Sequence, residues 1–256
     1  MAYTIAFAGK GGTGKTTLCG LLIDYLARKG EGPILAVDAD ANSNLNEVLG
    51  EKVTTTLGDI REEVARAESM DVNPIPASMS KSEYMDFRFG DALIESDKYD
   101  LIVMGRTQGQ GCYCFVNDIL KKQIEKYSSR YKYVVVDNEA GMEHVSRGIL
   151  PAIDTMFLVS DCSRRGIQAV GRIKRLAEEL ELNAKNIYLI VNHAPEGELN
   201  EGIRREIEAQ GLELIGVVPY DQLVYDYDAE GKPTVSLPDD APSKQAMYRI
   251  IEKAGF

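Results

Sequence analysis

Eight residues near the start of the chain, Gly9-Lys10-Gly11-Gly12-Thr13-Gly14-Lys15-Thr16, constrain its fold more than any other stretch. They fit the spacing G-x-x-x-x-G-K-[ST]. They follow an apolar run that reads as a strand, Tyr3–Gly9, and open a segment of helical periodicity, Lys15–Lys29, with Leu18, Leu21, Leu22, Tyr25 and Leu26 on one face. Strand, glycine loop and helix in that order make a phosphate cradle. The glycines let backbone N–H groups close around phosphate oxygens, and the helix N-terminus adds the positive end of its dipole. On this reading Gly11, Gly12, Thr13, Gly14, Lys15, Thr16 and Thr17 hold a nucleotide. Lys15 reaches the β- and γ-phosphates, and the Thr16 hydroxyl binds Mg²⁺.

The rest of the chain repeats the strand-then-helix alternation. Further strands are expected at Pro33–Asp38, Tyr99–Met104, Tyr131–Asp137, Asp154–Ser160, Asn186–Asn192 and Glu213–Pro219. Helical patterns lie at Phe115–Ser129, Glu143–Ala152, Gly166–Leu182, Asn200–Gln210 and Pro242–Lys253. Strands nearly continuous in Val, Ile and Leu, each followed by a helix, predict an α/β fold with a mostly parallel sheet and helices on both faces. With 256 residues, 44% of them apolar, the expectation is one domain over residues 1–256. Residues 52–96 read as an insertion, with a helix over Asp59–Ala67 and a Met/Pro/Ser-rich loop over Met70–Ser82.

Charge and composition narrow the partners. A net charge of −11 repels phosphate backbones and anionic membranes, so neither nucleic acid nor a membrane surface is expected. No run of eighteen apolar residues is present, and the N-terminus lacks a basic n-region and a small-residue cleavage site. Four unevenly placed cysteines make no disulfide framework, which points to a reducing cytoplasm.

The second lysine of the loop, Lys10, gives the run K-G-G-T-G-K-T-T, which resembles the deviant-Walker P-loop ATPases, the family of MinD, ParA, the nitrogenase iron protein and ArsA. The resemblance implies a P-loop NTPase that works as a homodimer, with Lys10 crossing to the partner's phosphates like an arginine finger. It also implies that Asp40, in Val37-Asp38-Ala39-Asp40-Ala41-Asn42 after the second strand, orients the attacking water in switch I. Asp38 is then a support for the metal or the loop. Val134-Val135-Val136-Asp137 reads as a Walker-B-like strand in which Asp137 holds Mg²⁺ through water, followed by a switch-II-like Asn138-Glu139-Ala140-Gly141. Family members hold adenine with an asparagine at one strand end and backbone at the next, which maps to Asn192 and Pro219. No N-K-x-D guanine motif is present, which favours ATP.

Gly111-Cys112-Tyr113-Cys114 follows a glycine-rich stretch. In an extended segment two thiols one residue apart point the same way. Two chains about a two-fold axis would then offer four thiolates, a donor set for Zn²⁺ or Ni²⁺; two buried structural cysteines is the alternative. Together with Asp137-x-x-Ala140-Gly141-Met142-Glu143-His144-x-x-Arg147-Gly148, the segment resembles the CooC/AcsF nickel-maturation ATPases of carbon monoxide dehydrogenase and acetyl-CoA synthase. That resemblance implies Ni²⁺ held by Cys112 and Cys114 at a dimer interface, ATP-controlled dimerisation, and one of those two nickel enzymes as client. It departs from the family at Asp40-Ala41, where many relatives have Asp-Pro.

Two alternatives remain at this stage. An iron–sulfur reductase like the nitrogenase iron protein would need cysteines on separate loops, and Asp137–Arg147 has none. A MinD/ParA-type positioning ATPase would need a basic amphipathic tail or a basic DNA surface. Of the other candidates, Cys19 reads as core, Cys162 as a buried thiol, His144 as structural, and His193 as a loop residue.

Overall fold

The computed structural model describes residues 2–42, 44–69, 75–106, 121–122, 125–126, 128–140, 152–182 and 184–256. The strands are β1 Tyr3–Gly9, β2 Ile34–Ala39, β3 Ile94–Glu95, β4 Asp100–Val103, β5 Tyr133–Asn138, β6 Thr155–Asp161, β7 Asn186–Ala194 and β8 Leu214–Pro219. They form one sheet in the order β3-β4-β2-β5-β1-β6-β7-β8. Every neighbouring pair is parallel except the short edge strand β3 against β4.

The described helices are α1 Lys15–Arg28, α2 Leu45–Leu49, α3 Leu57–Ser69, α4 Lys81–Ala92, α5 Arg164–Glu179, α6 Glu201–Ala209, α7 Gln222–Ala229 and α8 Pro242–Lys253. They cover both faces of the sheet, because its strands are apolar on both sides. Along β1, Ile5 and Phe7 enter one core while Ala6 and Ala8 enter the other, the two-residue alternation of a pleated strand. The Ile5/Phe7 side packs against α1, α2 and α8 through Leu18, Leu22, Leu45, Met247 and Ile251. The Ala6/Ala8 side packs against α3 to α6 through Leu57, Ile60, Phe89, Ile167 and Ile203. The fold is that of a P-loop NTPase, α/β with a mostly parallel sheet.

The expected strands agree with the observed ones to within two residues at each end. Four features go beyond the sequence reading. Lys81 starts a helix, so the loop expected over Met70–Ser82 ends early. The start is a capping box: the Ser80 hydroxyl accepts from the Glu83 N–H, and the Glu83 carboxylate accepts from the Ser80 N–H at 2.8 Å. The other three are β3, α2 and α7, all short and none strongly periodic. Residues 70–74 of the expected loop lie outside the described residues. So do most of the helices expected over Phe115–Ser129 and Glu143–Ala152.

Candidate nucleotide site

Every parallel strand delivers its C-terminal end to one edge of the sheet, and there the chain must turn into a helix or loop. β1 makes its turn within five residues. Gly9 permits it because a Cβ there would fall 2.2 Å from the Val159 carbonyl oxygen of β6. Gly12 and Gly14 take left-handed backbone angles, φ 77° and 84°, and α1 starts at the next residue. The loop is held by its own groups: the Thr13 hydroxyl and the Lys15 ammonium both donate to the Lys10 carbonyl, at 2.9 and 3.3 Å. Lys15 is buried and its pKa is lowered by that burial, against the opposing pull of Asp137, Asp40 and Glu139. The Lys10 side chain is exposed. Gly11, Gly12, Gly14, Lys15, Thr16 and Thr17 all line one cavity of about 1020 Å³.

Beside the loop stand two enclosed carboxylates. Asp38 and Asp137 face each other across the β2–β5 ladder and are 0% and 1% exposed. Burial first, then the charge of Asp137, pushes the Asp38 pKa up to about 7. Asp38 supports the loop that follows it, accepting from the Asp40 N–H at 3.1 Å and from the Leu45 N–H at the start of α2 at 2.9 Å. Burial likewise raises Asp137 to about 6, opposed by a hydrogen bond from Thr16 and by Lys15. One oxygen of Asp137, Oδ1, is buried without a hydrogen-bond partner among the described residues.

An orphaned carboxylate oxygen beside a threonine hydroxyl, in a pocket with more buried acid than base, fits a hydrated Mg²⁺ that arrives with a phosphate ligand. Thr16 and Asp137 are the residues that would hold it. Among the described residues no three His, Cys, Asp or Glu side chains group to hold a metal by themselves.

Asp40 lines the cavity, and its Oδ1 accepts from the Asn42 N–H at 2.8 Å. The Asn42 side-chain oxygen in turn accepts from the Arg106 guanidinium, and the Met104 N–H donates to the Asp38 carbonyl at 2.9 Å. The root of the segment after β4 is thereby fastened to the loop that carries Asp40. Cys112, Cys114, Gly141 and His144 lie outside the described residues.

At the far side of the cavity Asn192 is buried, and its Nδ2 donates to the Thr13 carbonyl at 2.9 Å, stapling β7 to the P-loop. Pro219 lines the same cavity at the end of β8. His193, expected in a loop, is part of β7 and lines the cavity too. Cys19 is fully buried in α1, where burial raises its thiol pKa well above the usual range. Cys162 is only half-buried.

Two supporting roles go beyond the sequence reading, which has Asn138 only as the first residue of the switch-II-like segment. Asn138 donates to the Phe7 carbonyl at 2.8 Å and ties β5 to β1. Asp221 caps α7 and grips α8, accepting from the Leu223 N–H, the Ser243 N–H and the Ser243 hydroxyl at 3.0, 3.0 and 2.7 Å. The Asp-before-helix pattern was a readable signal for Asp221; Asn138 offered none.

The family model for the CobQ/CobB/MinD/ParA nucleotide binding domain matches residues 4–235. The chain belongs to this family. It is 43% identical, over 97% of both chains, to the uncharacterized ATP-binding protein MJ0685 of Methanocaldococcus jannaschii. It is 28% identical to the carbon monoxide dehydrogenase accessory protein CooC of Rhodospirillum rubrum, over 98% of this chain and 97% of that one. In fold it is similar to the septum site-determining protein MinD of Pyrococcus horikoshii complexed with Mg-ADP, with a TM-score of 0.72 at 20% identity over 100% and 96% of the two chains. A ParA family ATPase of Chlorobium tepidum gives a TM-score of 0.73 at 18% identity, over 98% of each chain. As a member of this family the chain is an ATP-binding NTPase, and no helix among the described residues is long and apolar enough to cross a membrane.

Proposed function

We propose that the protein is a Mg²⁺-dependent ATPase that handles nickel for a maturing nickel enzyme. The observation that carries the Mg²⁺-dependent ATPase reading is Asp137 Oδ1, buried without a hydrogen-bond partner among the described residues, on a carboxylate that takes a hydrogen bond from Thr16 and feels the charge of Lys15. Bound Mg²⁺ supplies charge neutralisation on the phosphate oxygens. Gly11 to Thr17 bind the phosphates through backbone N–H groups and the α1 dipole, and Lys15 adds a positive charge at the β- and γ-phosphates. Asp40 orients a water toward the γ-phosphorus and accepts its proton as the new P–O bond forms. The bond to the β–γ bridging oxygen breaks, and ADP leaves with that electron pair. Lys10 is exposed, and on the family resemblance it reaches the phosphates of a second copy, which makes the active form a homodimer.

The nickel reading is supported by similarity to CooC over nearly the whole length of both chains, together with the Cys112-Tyr113-Cys114 pair. Nickel, or zinc in its place, is cargo here, bound by the thiolates of two copies and delivered to carbon monoxide dehydrogenase or acetyl-CoA synthase. The test is nickel titration of wild type, Lys15→Ala and the Cys112→Ala/Cys114→Ala double variant, with and without ATP. The expected result is metal affinity that depends on ATP in wild type, is independent of ATP in Lys15→Ala, and is absent in the double variant. Equal affinity in wild type and double variant would overturn the metal site.

The likeness in fold to MinD and ParA favours a second reading, a positioning ATPase. ATP-stimulated co-sedimentation with liposomes or DNA, without a thiol-dependent metal, would establish it instead.

A further inference from the structure

His193 is held in a conformation that the strand around it does not need. β7 and β8 run in register at Val191 with Val217 and again at Ala194 with Pro219, three steps along one strand against two along the other. The extra residue makes a bulge at Asn192–His193, and His193 takes it up with a left-handed φ of 57°. Few side chains accept that region, and a bulge there re-aims what it carries.

In a regular strand Asn192 and His193 would point to opposite faces. Here they lie side by side against the P-loop. A Cβ on Gly14 would sit 2.3 Å from Asn192 Nδ2 and 3.4 Å from His193 Nε2. The two side chains themselves approach at 3.4 Å.

The neighbouring hydrogen bonds bear on the state of the ring. The Thr13 carbonyl can only accept, so the group of Asn192 that faces it at 2.9 Å is the amide nitrogen, which can only donate. His193 Nε2 lies 3.4 Å from that same nitrogen, and the contact assigns a neutral imidazole that accepts at Nε2 and carries its proton on Nδ1. Burial, which lowers the His193 pKa against the pull of Asp161, works in the same direction.

The ring therefore offers the cavity one N–H donor and a flat face. It stands past Gly14, on the side away from Asp40 and Asp137, where Val218, Pro219 and Tyr220 continue the wall. With phosphates on the P-loop, this is the side left for the rest of a nucleotide.

We propose that His193 is a base-contacting residue, whose Nδ1–H and ring face receive the purine of a bound nucleoside triphosphate. The inference rests on the cavity being a nucleotide site. A purine complements it with ring nitrogens that accept and a π-face that stacks, whereas inorganic triphosphate has neither.

The test measures affinity for Mg-ATP and for Mg-tripolyphosphate, by calorimetry on the full chain, in wild type, His193→Ala, His193→Gln and His193→Gly. The expected outcome is an ATP dissociation constant about five- to tenfold higher in the Ala and Gly variants, with tripolyphosphate changed less than twofold. Gln, which keeps a donor, recovers part of the loss. Gly matches Ala because the ring is what matters, even though Gly relieves the backbone. Equal losses for ATP and tripolyphosphate, or unchanged ATP binding in Ala and Gly, would overturn the role of His193. Failure of the wild type to bind ATP at all would instead overturn the nucleotide reading.

Discussion

Two buried carboxylates at the same edge of the sheet have opposite surroundings. Asp221, beyond β8, is 9% exposed and receives three hydrogen bonds, two from backbone N–H groups and one from a hydroxyl. Asp137, near the end of β5, is 1% exposed, faces a second buried acid, and leaves one oxygen without a donor among the described residues. The first ties α7 and α8 together, and on its side of the cavity wall both its oxygens are hydrogen-bonded. The second has only the Thr16 hydrogen bond and the charge of Lys15 against its burial. A buried polar group left unsatisfied is costly unless something binds there, so the contrast marks the Asp137 side as the one a ligand would relieve.

If this division holds, substitutions at the two ends should fail differently. The largest effect is expected from Asp40→Asn, which should lower the turnover number for ATP about a hundredfold or more while ATP affinity stays within about threefold. Single-turnover hydrolysis and equilibrium binding check it, and a loss of affinity with normal turnover would break the assignment of chemistry to this end.

The next effect concerns stability. Asp221→Ala strands three donors and should cost about 2–4 kcal/mol, a Tm lower by on the order of 5–10 °C. Asp137→Asn should change the Tm of the nucleotide-free protein far less, because the burial of its charge offsets what the Thr16 hydrogen bond and Lys15 supply. Its cost should appear as loss of Mg²⁺-dependent stabilisation. Thermal melts with and without Mg-ADP decide between them, and equal losses in the nucleotide-free state would erase the contrast.

The last effect is pH dependence. Asp38 and Asp137 titrate at about 7 and about 6 in the folded chain, above the ordinary carboxylate value near ~4. The folded state therefore holds more protons than the unfolded one across this window. The stability these acids contribute is complete below about pH 4 and is lost as pH rises through about 6 and 7. In EDTA the Tm should fall from this source between about pH 5 and pH 8, and Mg-ADP should stabilise more at the higher pH. A wild-type profile that Asp38→Asn and Asp137→Asn leave unaltered would remove the claim.

Much of this architecture was legible because its signals are local. β1, the glycine turn and α1 announce themselves in sequence, since backbone N–H groups can wrap a phosphate only where side chains are missing. The central strands are legible because burial on both faces leaves Val, Ile and Leu at nearly every position. β3 was missed because it is two residues long, and α4 because its apolar residues are interrupted, although Ser80 and Glu83 had the capping spacing. Asp38 and Asp137 are readable as strand-end acids, but their mutual burial is a fact of strand order: β2 must lie beside β5. The aim of His193 follows from a slip in register between β7 and β8. No residue type encodes that slip, so the histidine resembled any other strand-end residue.

The double fastening at the exit of β4 has a mechanical consequence. The Met104 N–H grips the backbone of Asp38, and the Arg106 side chain grips Asn42, itself hydrogen-bonded to Asp40. A linkage braced at both main chain and side chain transmits displacement without backlash. Whatever nudges Asp40 tugs the polypeptide at residue 106 in the same stroke.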